Sequence, residues 1–343
     1  MAFSWPLPFH QTSSPTTRLR RIEVILLAGG TGSLGREILL LLSRRGLRVR
    51  LMTRHPATAR ASQSTHVEIV GGDVRDPASL GPALIGVETV ISALSGYGPR
   101  SGGNPRTVDG EGNQNLIRAA EEAGVKHFVL ISARGAAPHH PMELMRKKFV
   151  AEQELKRSRL ARTIIRPAPF METWAKVIGE KAIVFGRGDN PINFVSVHDV
   201  ARLVEKAVIE PRQSGIEVDA CGPENLTLNQ LASTFAAVTG RPSRRRHVPL
   251  VALRLLGTLV SPINPAIARM AHDAVLMDTL DFRSNSSQSG TGDSGAQTFL
   301  IDALKRDYAA ERGLQTKIAS VRSSATQSPQ RSGDHPRRPT NSW

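Results

Sequence analysis

One stretch, residues 25–41 (ILLAGGTGSLGREILLL), limits what this chain can fold into more than any other. The apolar run 24–28 reads as a fully buried strand. Gly29, Gly32 and Gly35 follow at G-x-x-G-x-x-G spacing, and Leu34, Ile38, Leu39 and Leu42 then recur at helical spacing. Strand, glycine turn and helix in that order suit the pyrophosphate of a dinucleotide. The first glycine permits a tight turn, the second lets phosphate approach the backbone, and the third lets the helix pack closely on the strand. Free N–H groups at the helix N-terminus then face the anion. Thr31, Ser33 and Leu34, interleaved with the glycines, belong to the same candidate cofactor-binding loop.

From Glu23 onward strand and helix patterns alternate, which predicts an α/β fold with a doubly wound parallel sheet covered on both faces. Strand-like runs occupy 23–28, 48–53, 67–71, 88–93, 127–132 and 162–166, and helical stretches 33–45, 77–85, 109–123 and 142–158. After Pro167 the rhythm changes to short strands at 182–185, 192–196 and 216–220 and helices at 198–209, 228–239 and on to about 278. The expected organisation is an extension (1–21), a dinucleotide-binding domain (22–170), a smaller C-terminal substrate lobe over the crevice (171–280), and a mostly disordered tail (281–343). The tail contains one short helical candidate near 299–312.

The net charge of +15 raises the question of nucleic acid. About +3 lies in residues 1–21, another +3 in 284–343, and part of the rest in the cluster Arg241, Arg244, Arg245 and Arg246. Aromatic residues make up 4% and no nucleic-acid-binding signature accompanies the cluster, so sequence-specific recognition is not expected. A single cysteine, Cys221, excludes an intramolecular disulfide and a cysteine-built zinc site. His139 and His140 lack partners at ligand spacing, so no metal site is expected. No apolar run of eighteen residues predicts a membrane span; the nearest approach, 248–260, is broken by Arg254 and Gly257. Residues 1–20 are acid-free and rich in Ser, Thr and Pro, like an organelle transit peptide. Read instead as a disordered extension, they leave a cytoplasmic location as the expectation.

Arg54 closes the second strand nineteen residues after Gly35, where an acid would bind a ribose 2′-hydroxyl and an arginine a 2′-phosphate. No Asp or Glu lies in the surrounding LMTRHPATAR, which favours NADP over NAD. Asp73 and Val74 follow strand three, where adenine would rest; Asp73 is equally suited to capping a turn. Ala93 and Leu94 after strand four, and Ser132 after strand five, are placed for close approach to a cofactor or for plain packing. Lys148 is the most informative charge. Its helical neighbours Leu144, Ala151 and Leu155 form an apolar stripe, so the lysine points inward, whereas Lys147 faces Glu143 like a surface ion pair. An inward amine near the nicotinamide end can bond ribose hydroxyls or tune a proton donor, and Lys148 is the candidate catalytic residue.

These strings, together with VDGEGNQNLIRAA, GVKHFVLISA, TIIRPAPFMETW and FVSVHDVARLV, occur in an order that resembles the atypical short-chain dehydrogenase/reductases. The branch that the chain is most similar to is the NmrA-like NAD(P)-binding group, which includes isoflavone-reductase-like and quinone-reductase-like proteins. The resemblance covers about residues 22–275 and implies a Rossmann fold with NADP(H) at Gly29, Gly32, Gly35 and Arg54. It also implies that Pro167 borders the nicotinamide and that Phe170 and Met171 shape an apolar substrate wall, although PAPFM equally suits a turn with core side chains. Tyr97, in SGYGPR after strand four, is placed to approach the nicotinamide or simply to pack in its loop. The wider superfamily uses a Tyr-x-x-x-Lys pair; here Leu144 stands four before Lys148, and Tyr97 and Tyr308 are the only tyrosines. Two functions follow. One is an NADP(H)-dependent oxidoreductase for a small apolar carbonyl or quinone, with Lys148 orienting the ribose. The other is a non-catalytic NADP(H)-sensing regulator or assembly factor with a protein partner. A sugar-nucleotide epimerase or dehydratase is disfavoured by the missing tyrosine.

Overall fold

The computed structural model describes residues 23–58, 65–97, 104–181, 183–210, 215–240, 245–284 and 298–309. Its centre is a seven-stranded sheet in the order β3-β2-β1-β4-β5-β6-β9. The strands are β1 (Val24–Ala28), β2 (Arg48–Thr53), β3 (Val67–Gly71), β4 (Val87–Ser92), β5 (His127–Ile131), β6 (Ala161–Pro167) and β9 (Ile216–Ala220). Every neighbouring pair is parallel. The order reverses between β1 and β4, and a ligand crevice is expected outside the strands' C-terminal ends at such a switch.

Strand periodicity divides the core. Ile25 and Leu27 face one side, against α1 (Ser33–Arg44) and α6 (Val197–Ile209). Leu26 and Ala28 face the other, against α2 (Leu80–Leu84), α3 (Glu111–Glu122) and α4 (Glu143–Arg157). A wide π-type turn, Pro105–Gly110, leads into α3 and is capped by Asn104, whose Oδ1 accepts from Thr107 N at 2.9 Å.

The smaller lobe contains α5 (Met171–Lys181), β7 (Ile183–Phe185), β8 (Ile192–Asn193), β10 (Asn225–Leu226), α7 (Leu228–Thr239), β11 (Arg246–Val248), α8 (Leu250–Val260) and α9 (Pro265–Thr279). The expected boundary near residue 170 is crossed twice. Strand 216–220 joins the large sheet as β9 beside β6, and α6 packs on α1. Valines 200, 204 and 208 of α6 give the physical reason: they complete the apolar face over β1 and β5. The 281–343 stretch also contains an ordered element. A helix at 300–309 seats Leu300, Ala303 and Leu304 in the lobe's core, and Thr298 bonds the Asp199 carboxylate through N and Oγ1 at 2.9 and 2.8 Å. Residues 1–21, Arg241 and Arg244 lie outside the described residues.

Candidate functional site

Parallel strands bring the loops after β1, β2, β3, β4, β5 and β6 to one edge, and with them most of the candidate residues. Gly29 ends β1 at φ 84°, a conformation that favours glycine, and a Cβ there would lie 2.4 Å from Ala93 O. A Cβ at Gly35 would lie 2.3 Å from Gly29 O and 2.5 Å from Gly30 Cα, so α1 packs directly on the turn. Gly32 differs: it is exposed, and its Cβ would meet only Gly29 O at 3.4 Å. Gly32 is also the N-cap of α1, supplies no capping side chain, and is followed by a first turn without acids. The N–H groups of Ser33, Leu34 and Gly35 therefore open a helix whose positive end faces an open glycine surface. Thr31 is exposed beside them, and its carbonyl accepts from Arg36 Nε at 2.9 Å.

Arg54 is exposed at the end of β2, close enough for its charge to act on Asp73. Hydrogen bonds from Arg75 hold the Asp73 carboxyl below its usual range, with Nη2 at 2.5 Å from Oδ2, and Arg54 adds to the effect. Asp73 thus presents a neutralised carboxylate beside Arg54. Val74 is buried against Gly112, and its carbonyl accepts from Asn115 Nδ2 at 2.9 Å.

Lys148 is 4% exposed, as its stripe predicts, and its ammonium meets polar groups. Nζ lies 2.9 Å from Leu94 O, 3.0 Å from Ile131 O and 2.9 Å from Asp109 Oδ1. Two of the ammonium's three protons are donated to these backbone carbonyls, and its charge is paired with the Asp109 carboxylate. Asp109, in the π-type turn, is fully buried, and its Oδ2 accepts from Gly96 N at 2.7 Å. One ion pair thereby ties the loop after β4, the end of β5 and α4 together. One turn further along α4, Glu152 accepts from Ser132 Oγ at 2.5 Å and from Arg166 at 2.8 and 2.7 Å. The bonds to Glu152, then to Glu217, push the Arg166 guanidinium's pKa up. Ser132 therefore anchors α4 with its hydroxyl. Lys147 does not make the expected pair; its stem covers Gly110, and Glu143 instead lies 3.7 Å from Arg269.

The roof reaches the crevice through α9. Tyr97, in the loop after β4, faces the Asp273 carboxylate, which is 1% exposed. Burial, then the Asp273 charge, pushes the phenol's pKa up; burial also raises that of Asp273. Among the described residues neither Asp273 oxygen meets a well-aligned donor. Sequence reading missed Asp109, Glu152 and Asp273. For Asp273 a signal existed, since Arg269 and Asp273 stand four apart, as an ion pair on one helix face would. Pro167 is buried at the end of β6, its carbonyl accepting from Arg134 N at 2.9 Å. Phe170 stays half-buried in a bridge to Val195, whereas Met171, 1% exposed, is turned into the lobe's core.

A doubly wound sheet, a glycine turn opening a helix at its switch point, and a built polar floor beside it define a dinucleotide-binding protein. Sequence comparison gives the family: residues 29–211 match the NAD(P)H-binding family, and the chain belongs to it as an NmrA-like, atypical short-chain dehydrogenase/reductase. An NAD(P)H azoreductase from Xenophilus azovorans is 31% identical over 226 residues, 64% of this chain and 76% of that protein. A photosystem II assembly factor from Synechocystis sp. is 32% identical over 240 residues, 68% of this chain and 72% of that one. The fold matches an NADPH-dependent quinone oxidoreductase from Escherichia coli complexed with NADPH, with TM-score 0.63 and 22% identity, covering 83% of this chain and 99% of the other. Among the described residues no group of side chains suits a metal ion, and no helix is long and apolar enough to cross a membrane.

Proposed function

We propose that this protein is an NADP(H)-dependent oxidoreductase that reduces a small apolar carbonyl or quinone. The observation that carries the reading is the paired character of the crevice: an open glycine turn under a helix N-terminus at one end, and an arginine beside a neutralised carboxylate at the next strand. Gly29, Thr31, Gly32, Ser33, Leu34 and Gly35 would hold the pyrophosphate, and Arg54 the 2′-phosphate. No Asp or Glu lies in the surrounding LMTRHPATAR, and a guanidinium at this strand end suits a 2′-phosphate, which favours NADP over NAD. Bound there, the cofactor supplies the hydride.

The chain's residues bind, orient and exclude water. Lys148 acts by positioning: with Asp109 it fixes Leu94 and Ile131 at the rim, and a ribose hydroxyl would replace one of its carbonyl acceptors. Ala93, Val74 and Pro167 shape the rim through backbone and burial. Tyr97 Oη keeps its proton through the physiological range, because burial and Asp273 both oppose its loss. Phe170 is the half-buried side chain offered to an apolar substrate.

The structural ties that already hold Lys148, two backbone carbonyls and the buried Asp109 carboxylate, favour a second reading, an NADP(H)-responsive binding protein without turnover. The two separate in one experiment, NADPH binding measured alongside NADPH oxidation with quinone, azo and aldehyde acceptors. Acceptor-dependent oxidation supports the reductase; saturable binding with no oxidation supports the responsive binding protein.

A further inference from the structure

An exposed apolar surface that the cofactor crevice does not use lies on the outer side of the α8–α9 hairpin. α8 meets α9 through Leu253, which is 3% exposed, and through Gly257, whose Cβ would lie 3.5 Å from Ala268 O. The opposite face carries Val251, Leu255 and Leu259 at i, i+4 and i+8, exposed by 63%, 57% and 71%. Ile263, in the connecting turn, is 85% exposed, and Ile267 continues the face onto α9. Leu256, 41% exposed, lies on the same helix, and six exposed large apolar side chains grouped on one hairpin are more than the singly scattered ones an ordinary surface carries.

We propose that this hairpin docks on a membrane surface bearing anionic lipid, with α8 lying in the plane of the headgroups. Charge selects the occupant. From Asn225 to His272 the chain has six arginines and no Asp or Glu. Arg246 is exposed on β11 just ahead of α8, and Arg254 is exposed on α8 itself, one residue before Leu255, so both can meet lipid phosphates. A second copy would bring the same charges to the same face in a chain of net charge +15, so an anionic surface is the better complement. Length fixes the orientation: eleven residues extend about 16 Å, half of a hydrocarbon core, so α8 lies in the interface and does not span it.

The test uses the full chain and co-sedimentation with phosphatidylcholine vesicles, with and without phosphatidylglycerol. The wild type is expected to bind the anionic vesicles, less so as salt rises. A Leu255→Glu, Leu259→Glu variant, changed at exposed positions only, is expected to lose binding about tenfold while NADPH affinity and thermal stability stay unchanged. A Leu255→Ser, Leu259→Ser variant repeats the loss without adding negative charge. No binding of the wild type to anionic vesicles, or equal binding by the variants, overturns the proposal. So does a wild-type dimer in analytical ultracentrifugation that the same substitutions dissociate, since the occupant is then a second copy.

Discussion

Replacing Lys148 by methionine separates positioning from chemistry. The substitution keeps the length of the stem but leaves Asp109 fully buried without its countercharge, and Leu94 O and Ile131 O without their shared donor. Breaking a buried pair by removing one partner costs about 3–5 kcal/mol. Against a total stability of about 5–15 kcal/mol, the single variant stands at the edge of folding. Adding Asp109→Asn removes the stranded charge and keeps an acceptor for Gly96 N, so part of the loss returns, with a coupling of about 2 kcal/mol in the double-mutant cycle. Urea unfolding followed by circular dichroism measures all four corners. A Lys148→Met cost below about 1 kcal/mol, or a double variant less stable than Lys148→Met alone, would refute the claim that this pair holds the crevice floor. Activity lost by a Lys148 variant has to be compared with the folded fraction before it is assigned to the reaction.

Three further outcomes follow from the geometry. Gly35→Ala forces a methyl group into backbone atoms at 2.3 and 2.5 Å and is expected to cost about 1–3 kcal/mol or more in a thermal melt, whereas Gly32→Ala, open but for Gly29 O at 3.4 Å, keeps its melting temperature and loses NADPH affinity about tenfold. Arg54→Ala is expected to weaken NADPH binding by about 1.5–3 kcal/mol and leave NADH binding nearly unchanged, measured by titration calorimetry; equal losses for both cofactors would contradict it. Asp273→Asn addresses pH. Burial raises the folded-state pKa of Asp273 above 3.8, so the folded protein binds this proton more tightly than the unfolded chain, and the wild type loses stability as pH rises through that window. The asparagine variant escapes that loss and should melt higher at neutral pH, with the gap closing toward pH 3.8; a gap independent of pH would count against it.

Local features were the ones legible in the sequence. The glycine turn, the six strands through 166 and the inward face of Lys148 each follow from spacing within a dozen residues, because strand and helix periods act over that range. What Lys148 meets was not legible. Asp109 reaches it from a π-type turn, where neither period 2 nor period 3.6 applies, across 39 residues of chain. The same limit applies to β9, which reads like any short strand until β6 offers it an edge, and to Asp199. Asp199 sits in the first turn of α6 as its position suggests, but its carboxylate serves Thr298, ninety-nine residues away. For Met171 two readings stood side by side, the substrate wall that the resemblance implies and a core side chain, and the start of α5 turns it into the lobe's core.

The most direct test of the central claim is steady-state NADPH oxidation by the purified full chain across a panel of quinones, azo compounds and aldehydes, with NADPH binding measured on the same preparation. Saturable NADPH binding and acceptor-dependent oxidation, faster with NADPH than with NADH, are the expected result. NADPH that binds tightly and is oxidised with no acceptor in the panel would contradict it and leave the responsive binding protein in its place.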